Sequence, residues 1–294
     1  MKPILLPFLL SILLVPSSLA LLERAPLYGA EVACDTERLP SKIKLLLTAP
    51  IASSLVDVAG KYRLYDPYQE KLISHRHLGK RQKMEATAEG MKWGEEFPGI
   101  YQLKIVPDDL REPLFIDGVP YRGAVYFYAV GDQIAIVNEV PIEEYLEATL
   151  RPLFPHDEPH ELLAAIAIAV RSSAYFAAAH PLSSFWSVDA TKVGYRSALP
   201  LHSEEGLAMH RALAATRHMV LSTTGPYERV VTPLPCSWQE LPQLTPYQEK
   251  IVSQIDWKEA RRLAQRGDNG AMILKRAFPS ALIQLLSPAR DLAL

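Results

Sequence analysis

The sequence predicts an α+β fold, in which an antiparallel, strand-rich N-terminal half packs against a helix-rich C-terminal half. Short runs of β-branched and aromatic residues, separated by Gly, Pro, Ser and Asp, occupy most of residues 43–138. An Ala-rich stretch from His160 to about His180 then follows the three-and-four spacing of a helix with a buried stripe. The predicted division is a signal peptide at 1–20, a linker at 21–42, one domain at 43–281 (strand-rich 43–138, helical core 141–180, C-terminal helices 204–281) and a tail at 282–294.

Composition is that of an ordinary folded protein. The 294 residues can bury a substantial core, and 22% charged with 49% hydrophobic residues is a usual balance. A formal charge of −2 provides no general attraction for a polyanion. We therefore expect no nucleic-acid partner.

The first twenty residues predict export. Lys2 supplies a short positive segment, Ile4–Val15 is mostly apolar, and Ser18–Ala20 offers small residues before a cleavage point. The apolar run is too short to span a bilayer comfortably. We expect a secreted or periplasmic protein, with an uncleaved membrane anchor as the alternative because Leu21 and Leu22 extend the run.

Outside these residues there are two cysteines, Cys34 and Cys236. In an oxidising compartment they could pair, or they could remain separate free thiols. Their distance in sequence, without a CxxC motif, is a poor metal signal.

The N-terminal strands are expected to be short. Residues 76–95 are polar and are interpreted as a solvated loop. His75 and His77 are spaced to share one strand face, but nothing nearby supplies a third ligand, so neither a metal nor another cofactor is expected. The predicted strands up to this region are Ile43–Leu47, Leu55–Val58, Tyr62–Tyr65 and Lys71–Ser74.

Two successive hairpins are predicted after a strand at Ile100–Val106. Asp117-Gly118 is suited to a tight turn because glycine accepts positive φ. Gly131-Asp132 marks the second turn, and the two hairpins together make an antiparallel meander. The hairpin strands are expected at Leu114–Ile116, Tyr121–Val130 and Gln133–Val137.

Helices dominate from Glu143 onward. Acidic residues favour the positive end of a helix dipole, and Pro152 and Pro155 end this first helix. Asp157 is a plausible N-cap for the long helix that follows. Arg171 adjoins the apolar stripe of that helix and is expected to have a carboxylate partner, because a buried unpaired charge is costly.

The C-terminal third is predicted to be less regular. Residues 181–200 are a loose segment, and residues 226–242 are Pro-rich without a strong period. Gly267 is expected to end the longer C-terminal helix. The predicted elements are helices at Glu204–Thr216, Pro246–Arg266 and Ala271–Arg276 and a strand starting at His218–Leu221.

Six passages, taken in order, resemble the SpoIID/LytB family of stage II sporulation protein D and the amidase enhancer LytB. The likeness runs through most of residues 43–281, and each passage is weak alone. Members of this family are secreted bacterial proteins of peptidoglycan remodelling. The passages are Tyr121-Arg122-Gly123, Val137–Leu146, Glu161–Ser172, the Asp189/Thr191/Gly194/Tyr195 segment, Thr216–Leu221 and Glu259–Pro279.

The resemblance implies an activity and shows where this chain departs from it. Sporulation-type members are lytic transglycosylases that cut glycan strands already stripped of stem peptides. The family's catalytic glutamate falls on Leu153 here, and a helix glutamine of the family is replaced by Ile166. A glycine-rich loop of the family has no counterpart between Thr232 and Asp256. The sequence is therefore interpreted as a divergent member.

Three glutamates are candidates for the missing acid. Lytic cleavage needs one carboxylic acid that is protonated near neutral pH. Glu143, Glu144 and Glu147 share one helix region and could supply it. The alternatives are helix N-terminal charge and an ion pair with Arg171 for the first two, and simple solvation for Glu147. Asp157 and Glu158, in the turn beyond Leu153, are weaker candidates.

Substrate contacts are predicted from polar and aromatic residues around this region. Most aromatic side chains at regular spacing belong to a core, so Trp186 and Tyr195, in the looser segment, carry more weight than the rest. His156 and His160 have metal-ligand spacing, but Pro159 breaks any shared helical face. The predicted substrate-binding residues are Arg171, Tyr145, Trp186, Asp189 and Tyr195.

Two functions of different classes follow. The first is a secreted protein that binds peptidoglycan glycan strands and acts on denuded strands as a lytic transglycosylase, for example at the septum. The second is a non-catalytic glycan-binding module that stimulates a cell-wall amidase. The substitution at Leu153 favours the second, and the family resemblance favours the first.

Overall fold

The computed structural model describes residues 39–156, 158–198, 204–223, 231–239, 241 and 250–286. The predicted signal peptide, most of the predicted linker, Cys34 and Asp157 lie outside the described residues.

The described elements are named in chain order. The strand-rich half contains β1 (Lys42–Ile51), β2 (Ser53–Val58), β3 (Tyr62–Asp66), β4 (Lys71–Arg76), β5 (Lys80–Thr87), β6 (Gly90–Trp93), β7 (Glu95–Pro98), β8 (Gln102–Pro107), β9 (Leu114–Ile116), β10 (Val119–Tyr121), β11 (Ala124–Val130) and β12 (Gln133–Pro141). The helical half contains α1 (Ile142–Leu150), a 3-10 turn (Arg151–Leu153), α2 (His160–Ala179), β13 (Val188–Asp189), α3 (Leu207–Ala215), β14 (Met219–Ser222), β15 (Cys236–Ser237), β16 (Ile251–Val252), α4 (Trp257–Gln265), α5 (Gly270–Ala277) and β17 (Leu282–Leu285).

Two sheets make up the strand-rich half. A seven-stranded sheet runs β13-β1-β12-β11-β8-β3-β4, and it is antiparallel except where β13 pairs in parallel with β1. A six-stranded antiparallel sheet runs β10-β9-β2-β5-β6-β7. With five helices following in the second half, the predicted α+β class is confirmed.

The seven-stranded sheet has a helix-covered inner face and a separate outer face. Because side chains alternate along a strand, Ile43 and Leu45 of β1 point into the main core while Leu46 points to the other side. On β11, Phe127 lies in the main core and Tyr126 lies in a smaller cluster on the outer face. Helix α2 packs against β1, α1, α3 and α5 at the centre of the molecule.

The tight turns follow the local sequence signals. Asp117 and Gly118 both have positive φ, 50° and 82°, which is the conformation of the predicted two-residue hairpin turn. This turn joins β9 to β10 in antiparallel register. The second predicted hairpin is also present, with Val130 opposite Gln133.

The loop predicted at residues 76–95 is wrong. The structure forms β5, β6 and the start of β7 here, because β5 pairs with β2 on one side and with β6 on the other. Met84 is buried among neighbours that are mostly charged, so the alternation is hidden in the sequence. The charged side chains of this segment pair across neighbouring strands, as Lys92 of β6 does with Glu85 of β5 at 3.7 Å.

Two C-terminal predictions also need correction. The helix predicted from Pro246 begins at Trp257, where the Asp256 side chain accepts a hydrogen bond from the Glu259 amide at 2.7 Å and caps it. The described residues just before it form β16, paired in parallel with β15. Within the tail predicted from 282, β17 is a strand because it finds a partner distant in sequence, β14.

Among the described residues, α2 is the one helix that is long and apolar enough to cross a membrane. Most of its side chains are buried within the fold, as in the core helix of a globular domain.

Candidate functional site

The acidic corner, defined as Glu143, Glu144 and Glu147, lies where β12 passes into α1. Pro141 occupies the N-cap position without a side-chain cap, so the first helical amides keep their partial positive charge. Glu143 and Glu144 lie in this first turn. The corner is therefore an electrostatically suitable place for carboxylates, and their different partners decide what each of them can do.

Glu143 is fully engaged with Arg171. The Arg171 guanidinium donates from Nε to Glu143 Oε1 at 2.7 Å and from Nη2 to Oε2 at 3.0 Å. Its other donors bind backbone oxygens of Leu213 at 3.1 Å and Thr216 at 2.9 Å. The ion pair expected from the sequence is confirmed, and it ties α1 and α2 to α3.

This arrangement makes Arg171 structural. The side chain is 0% exposed, so the predicted direct contact with substrate needs correction. A buried guanidinium left without its carboxylate costs several kcal/mol, about 3–5. Both carboxylate oxygens of Glu143 accept hydrogen bonds from this guanidinium, so Glu143 is poorly placed to act on a substrate.

Glu147 is also engaged. Its Oε1 lies 2.7 Å from Nδ1 of His210 on α3, and its Oε2 lies 3.3 Å from Nη1 of Arg151. Arg151 in turn donates from Nε to the Glu205 carbonyl at 2.9 Å. Glu147 therefore joins α1 to α3, a role that helix periodicity did not reveal.

Glu144 differs from the other two. Within the described part of the chain, its half-buried carboxyl has neither an ion pair within 4.0 Å nor a side-chain hydrogen bond. Burial raises the pKa of Glu144, and the positive charge of Arg122 partly opposes that effect. A half-buried carboxyl with a raised pKa is the state that a general acid requires.

A frame of hydrogen bonds holds the chain around Glu144. Asn138 is fully buried and donates from Nδ2 to the backbone oxygens of Arg122 at 2.8 Å and Ala124 at 3.1 Å. Its Oδ1 accepts from the Tyr195 hydroxyl at 2.7 Å. Asn138 thus joins two of the passages that carried the resemblance to a third, in which Tyr195 lies.

Gly123 makes this frame possible. Its φ is +79°, and a Cβ there would lie 2.2 Å from the Glu139 carbonyl oxygen. Only a residue without a side chain allows the strand to approach so closely.

The two predicted tyrosines support the site without lining it. Tyr145 is 1% exposed and Tyr195 is 3% exposed, with ring centroids 6.0 Å apart. Burial raises the pKa of each hydroxyl. A buried ring cannot touch a glycan, so the predicted substrate contact at these positions is corrected to a supporting role.

Trp186 and Asp189 lie elsewhere. Trp186 packs against the smaller apolar cluster on the outer face of the seven-stranded sheet, to which Tyr126 and Tyr128 belong. The Asp189 carboxylate accepts from the Thr191 amide at 2.9 Å and hydroxyl at 2.7 Å, which closes its own turn. The structure therefore does not bring these two residues together with the acidic corner into one cluster.

The position to which the resemblance assigns the family's acid holds an exposed apolar side chain. Leu153, in the 3-10 turn after α1, is 39% exposed and has no proton to donate. Glu158 binds Arg261 on α4 at 2.5 Å. Of the weaker candidates, Glu158 is thus engaged and Asp157 lies outside the described residues.

The other chemistry-bearing residues have ordinary partners. His75 Nε2 lies 2.9 Å from Asp108, and its ring lies 4.8 Å from that of His77. Cys236 is a buried free thiol whose pKa burial raises to about 12. Among the described residues, no group of three or more His, Cys, Asp or Glu is placed to hold a metal ion.

This geometry defines a class of protein: an α+β domain whose acidic corner is held by ion pairs and hydrogen bonds at a strand-to-helix junction. Residues 130–222 match the model of the SpoIID family, described as stage II sporulation protein. The resemblance is thereby confirmed for this segment, which holds β12, α1, α2 and Tyr195. A SpoIID domain indicates a function related to sporulation or the cell wall.

Three curated relatives match part of the chain. Uncharacterized proteins of Chlamydia pneumoniae and Chlamydia muridarum are 34% and 31% identical, each over 52% of this chain and over 57% and 54% of their own lengths. An uncharacterized protein of Brachyspira hyodysenteriae is 28% identical over 46% of this chain and 36% of its own length. The chain thus spans about half the length of the first two relatives. No solved structure matches the chain.

Proposed function

We propose that the protein binds glycan strands of peptidoglycan outside the cytoplasm and cleaves denuded strands as a lytic transglycosylase. The observation that carries this proposal is Glu144, a half-buried carboxyl with a raised pKa and no ion-pair partner among the described residues. It lies in the SpoIID segment, on the helix next to the position of the family's acid. Export is inferred from the apolar N-terminal sequence.

The proposed reaction needs one group that gives and then takes a proton. Glu144 donates its proton to the glycosidic oxygen as the bond from that oxygen to the sugar carbon breaks. The resulting carboxylate then removes a proton from a hydroxyl of the same sugar, whose oxygen closes onto the carbon. The product is an anhydro sugar, and no water is consumed.

The test is mass spectrometry of denuded glycan strands incubated with the purified protein. We expect anhydro-sugar ends with the wild type and a loss of about 10²–10⁴-fold in rate with Glu144→Gln, the usual contribution of a general acid. Glu96→Gln, an exposed glutamate of β7 in the six-stranded sheet, is the matched control and should keep the wild-type rate. Equal product from wild type and Glu144→Gln would refute the assignment.

A second function is favoured by Leu153. If the wild type binds denuded strands and forms no anhydro ends, the protein is a non-catalytic glycan-binding module, for which a cell-wall amidase is the proposed partner. Leu153 supports this candidate because the family's acid position holds no ionisable group. Stimulation of a purified amidase on whole peptidoglycan, measured with and without the protein, separates the two functions.

A further inference from the structure

The outer face of the seven-stranded sheet carries a basic and aromatic group of side chains away from the acidic corner. We define the outer-face cluster as the six residues Lys42, Lys44, Lys104, Glu139, Tyr126 and Trp186. None of the three glutamates of the acidic corner belongs to it.

Strand register explains why these side chains meet. Lys44 of β1 pairs with Glu139 of β12, and Tyr126 of β11 pairs with Lys104 of β8. These four strands are neighbours in the sheet. Because side chains alternate across the sheet, all four residues project to the face opposite the helices.

Their contacts are close. The Tyr126 hydroxyl donates to Glu139 Oε2 at 2.9 Å, and Nζ of Lys42 and Lys104 lie 3.7 and 3.6 Å from Glu139 Oε1. The ammonium groups of Lys44 and Lys104 lie 4.5 and 4.7 Å from the centre of the Tyr126 ring. A single aromatic ring and a single carboxylate therefore hold three cations.

The cluster has an excess of positive charge in a partly dehydrated place. The cluster holds three ammonium groups and one carboxylate, and within the described residues Lys44 has no carboxylate at ion-pair distance. Burial lowers the pKa of Lys104; Lys42 and Lys44 lower it further, against the effect of Glu139. An anion bound here would relieve the repulsion and would act at a lower effective dielectric than in water.

Aromatic surface borders the cations. Trp186 packs against the apolar side chains of this face, which include Tyr126 and Tyr128. The neighbouring Phe185 is 41% exposed, and its ring centroid lies 4.8 Å from that of Tyr128. The Ser187 amide donates to the Lys44 carbonyl at 2.8 Å, which fixes this loop against β1. The surface thus offers cations beside a partly exposed ring, a combination suited to a sugar that carries an acidic group.

We propose that the outer-face cluster binds the carboxylate of an acidic sugar. This inference rests on the proposed function for its physiological ligand. On a denuded wall glycan that group is the lactyl carboxylate of muramic acid, which is a free anion only after the amide bond to the stem peptide has been cut. The cluster would then distinguish denuded strands from peptide-bearing ones.

The test compares two forms of one glycan. Binding of the full protein to denuded strands is measured by calorimetry, alongside strands whose carboxylates have been converted to methylamides. We expect binding to weaken about tenfold on amidation, the effect of losing one charge-assisted contact. Lys44→Gln should weaken binding to denuded strands by a similar factor, and Lys44→Arg should retain it.

Controls separate charge from folding. Lys92→Gln, on β6 of the other sheet, should bind like the wild type. Circular dichroism and the melting temperature of each variant confirm that it is folded. Equal affinity for free and amidated strands would overturn the carboxylate inference while leaving the proposed glycan binding in place.

If the protein binds neither the denuded nor the amidated strands, the proposed function is overturned. The outer-face cluster is then tested separately with oligogalacturonate. Binding of this acidic sugar that depends on Lys44 supports the cluster alone, and its absence overturns the inference. Phosphate and the acidic monosaccharide glucuronate are then compared as competitors of oligogalacturonate binding. If inorganic phosphate competes as well as glucuronate, the cluster is a general anion site, which also contradicts an acidic-sugar site.

Discussion

The three glutamates of the acidic corner differ in chemistry because they differ in partners. Glu143 is held by Arg171 and Glu147 by His210, whereas Glu144 has only partial burial and the more distant charge of Arg122. The first pairing could be predicted, since a cation on an apolar helix face needs a carboxylate. The second could not, because its residues are 63 positions apart and nothing local joins them.

The Arg171–Glu143 pair should be essential for stability. Arg171→Met is expected to lower the free energy of unfolding by about 3–5 kcal/mol, because Glu143 and two backbone oxygens lose a buried partner. Urea unfolding followed by circular dichroism measures the change. Arg262→Gln is the control and should cost little, because Arg262 is largely exposed and its partner Glu259 lies 3.4 Å away on the same helix. An equal cost for both variants would contradict the structural role of Arg171.

At the scale of elements, local signals predicted the hairpin turns and the end of α1 better than strand pairing. The hairpin at Asp117-Gly118 and the end of α1 near its prolines could be predicted, because turn and proline preferences act within a few residues. The strands β5 and β17 were missed because their stability comes from distant partners. Two residues of the passages that resemble the family, Asn138 and Gly123, hold the start of β11 close to β12.

Gly123 should tolerate no side chain. Gly123→Ala places a Cβ 2.2 Å from the Glu139 carbonyl oxygen in a backbone of positive φ, so β11 and β12 must move apart. We expect a larger loss of stability than for Gly131→Ala, which has positive φ but nothing within 4 Å, and whose cost is limited to about 1–2 kcal/mol of backbone strain. Thermal unfolding of both variants gives the comparison. Equal melting temperatures would show that the close approach is not needed.

At the scale of the whole molecule, the seven-stranded sheet separates the acidic corner from the outer-face cluster. Helices fasten the acidic corner beside the inner face, and the outer-face cluster lies on the other side of the same strands. The sequence located Glu144 and Trp186 as candidates but could not assign them to different surfaces, because strand alternation and pairing decide which side each one faces. The passages that carried the resemblance mark the frame of the site.

The pH dependence of anhydro-product formation tests most directly whether Glu144 is the acid. Since the protonated form must donate and burial raises the pKa of Glu144, the wild-type rate should stay high to a pH above the ordinary glutamate value of about 4.3 and then fall about tenfold per unit. Glu144→Gln should be slow at every pH and lose this alkaline limb. A wild-type limb at the ordinary glutamate pKa, or the same limb in Glu144→Gln, would contradict the account.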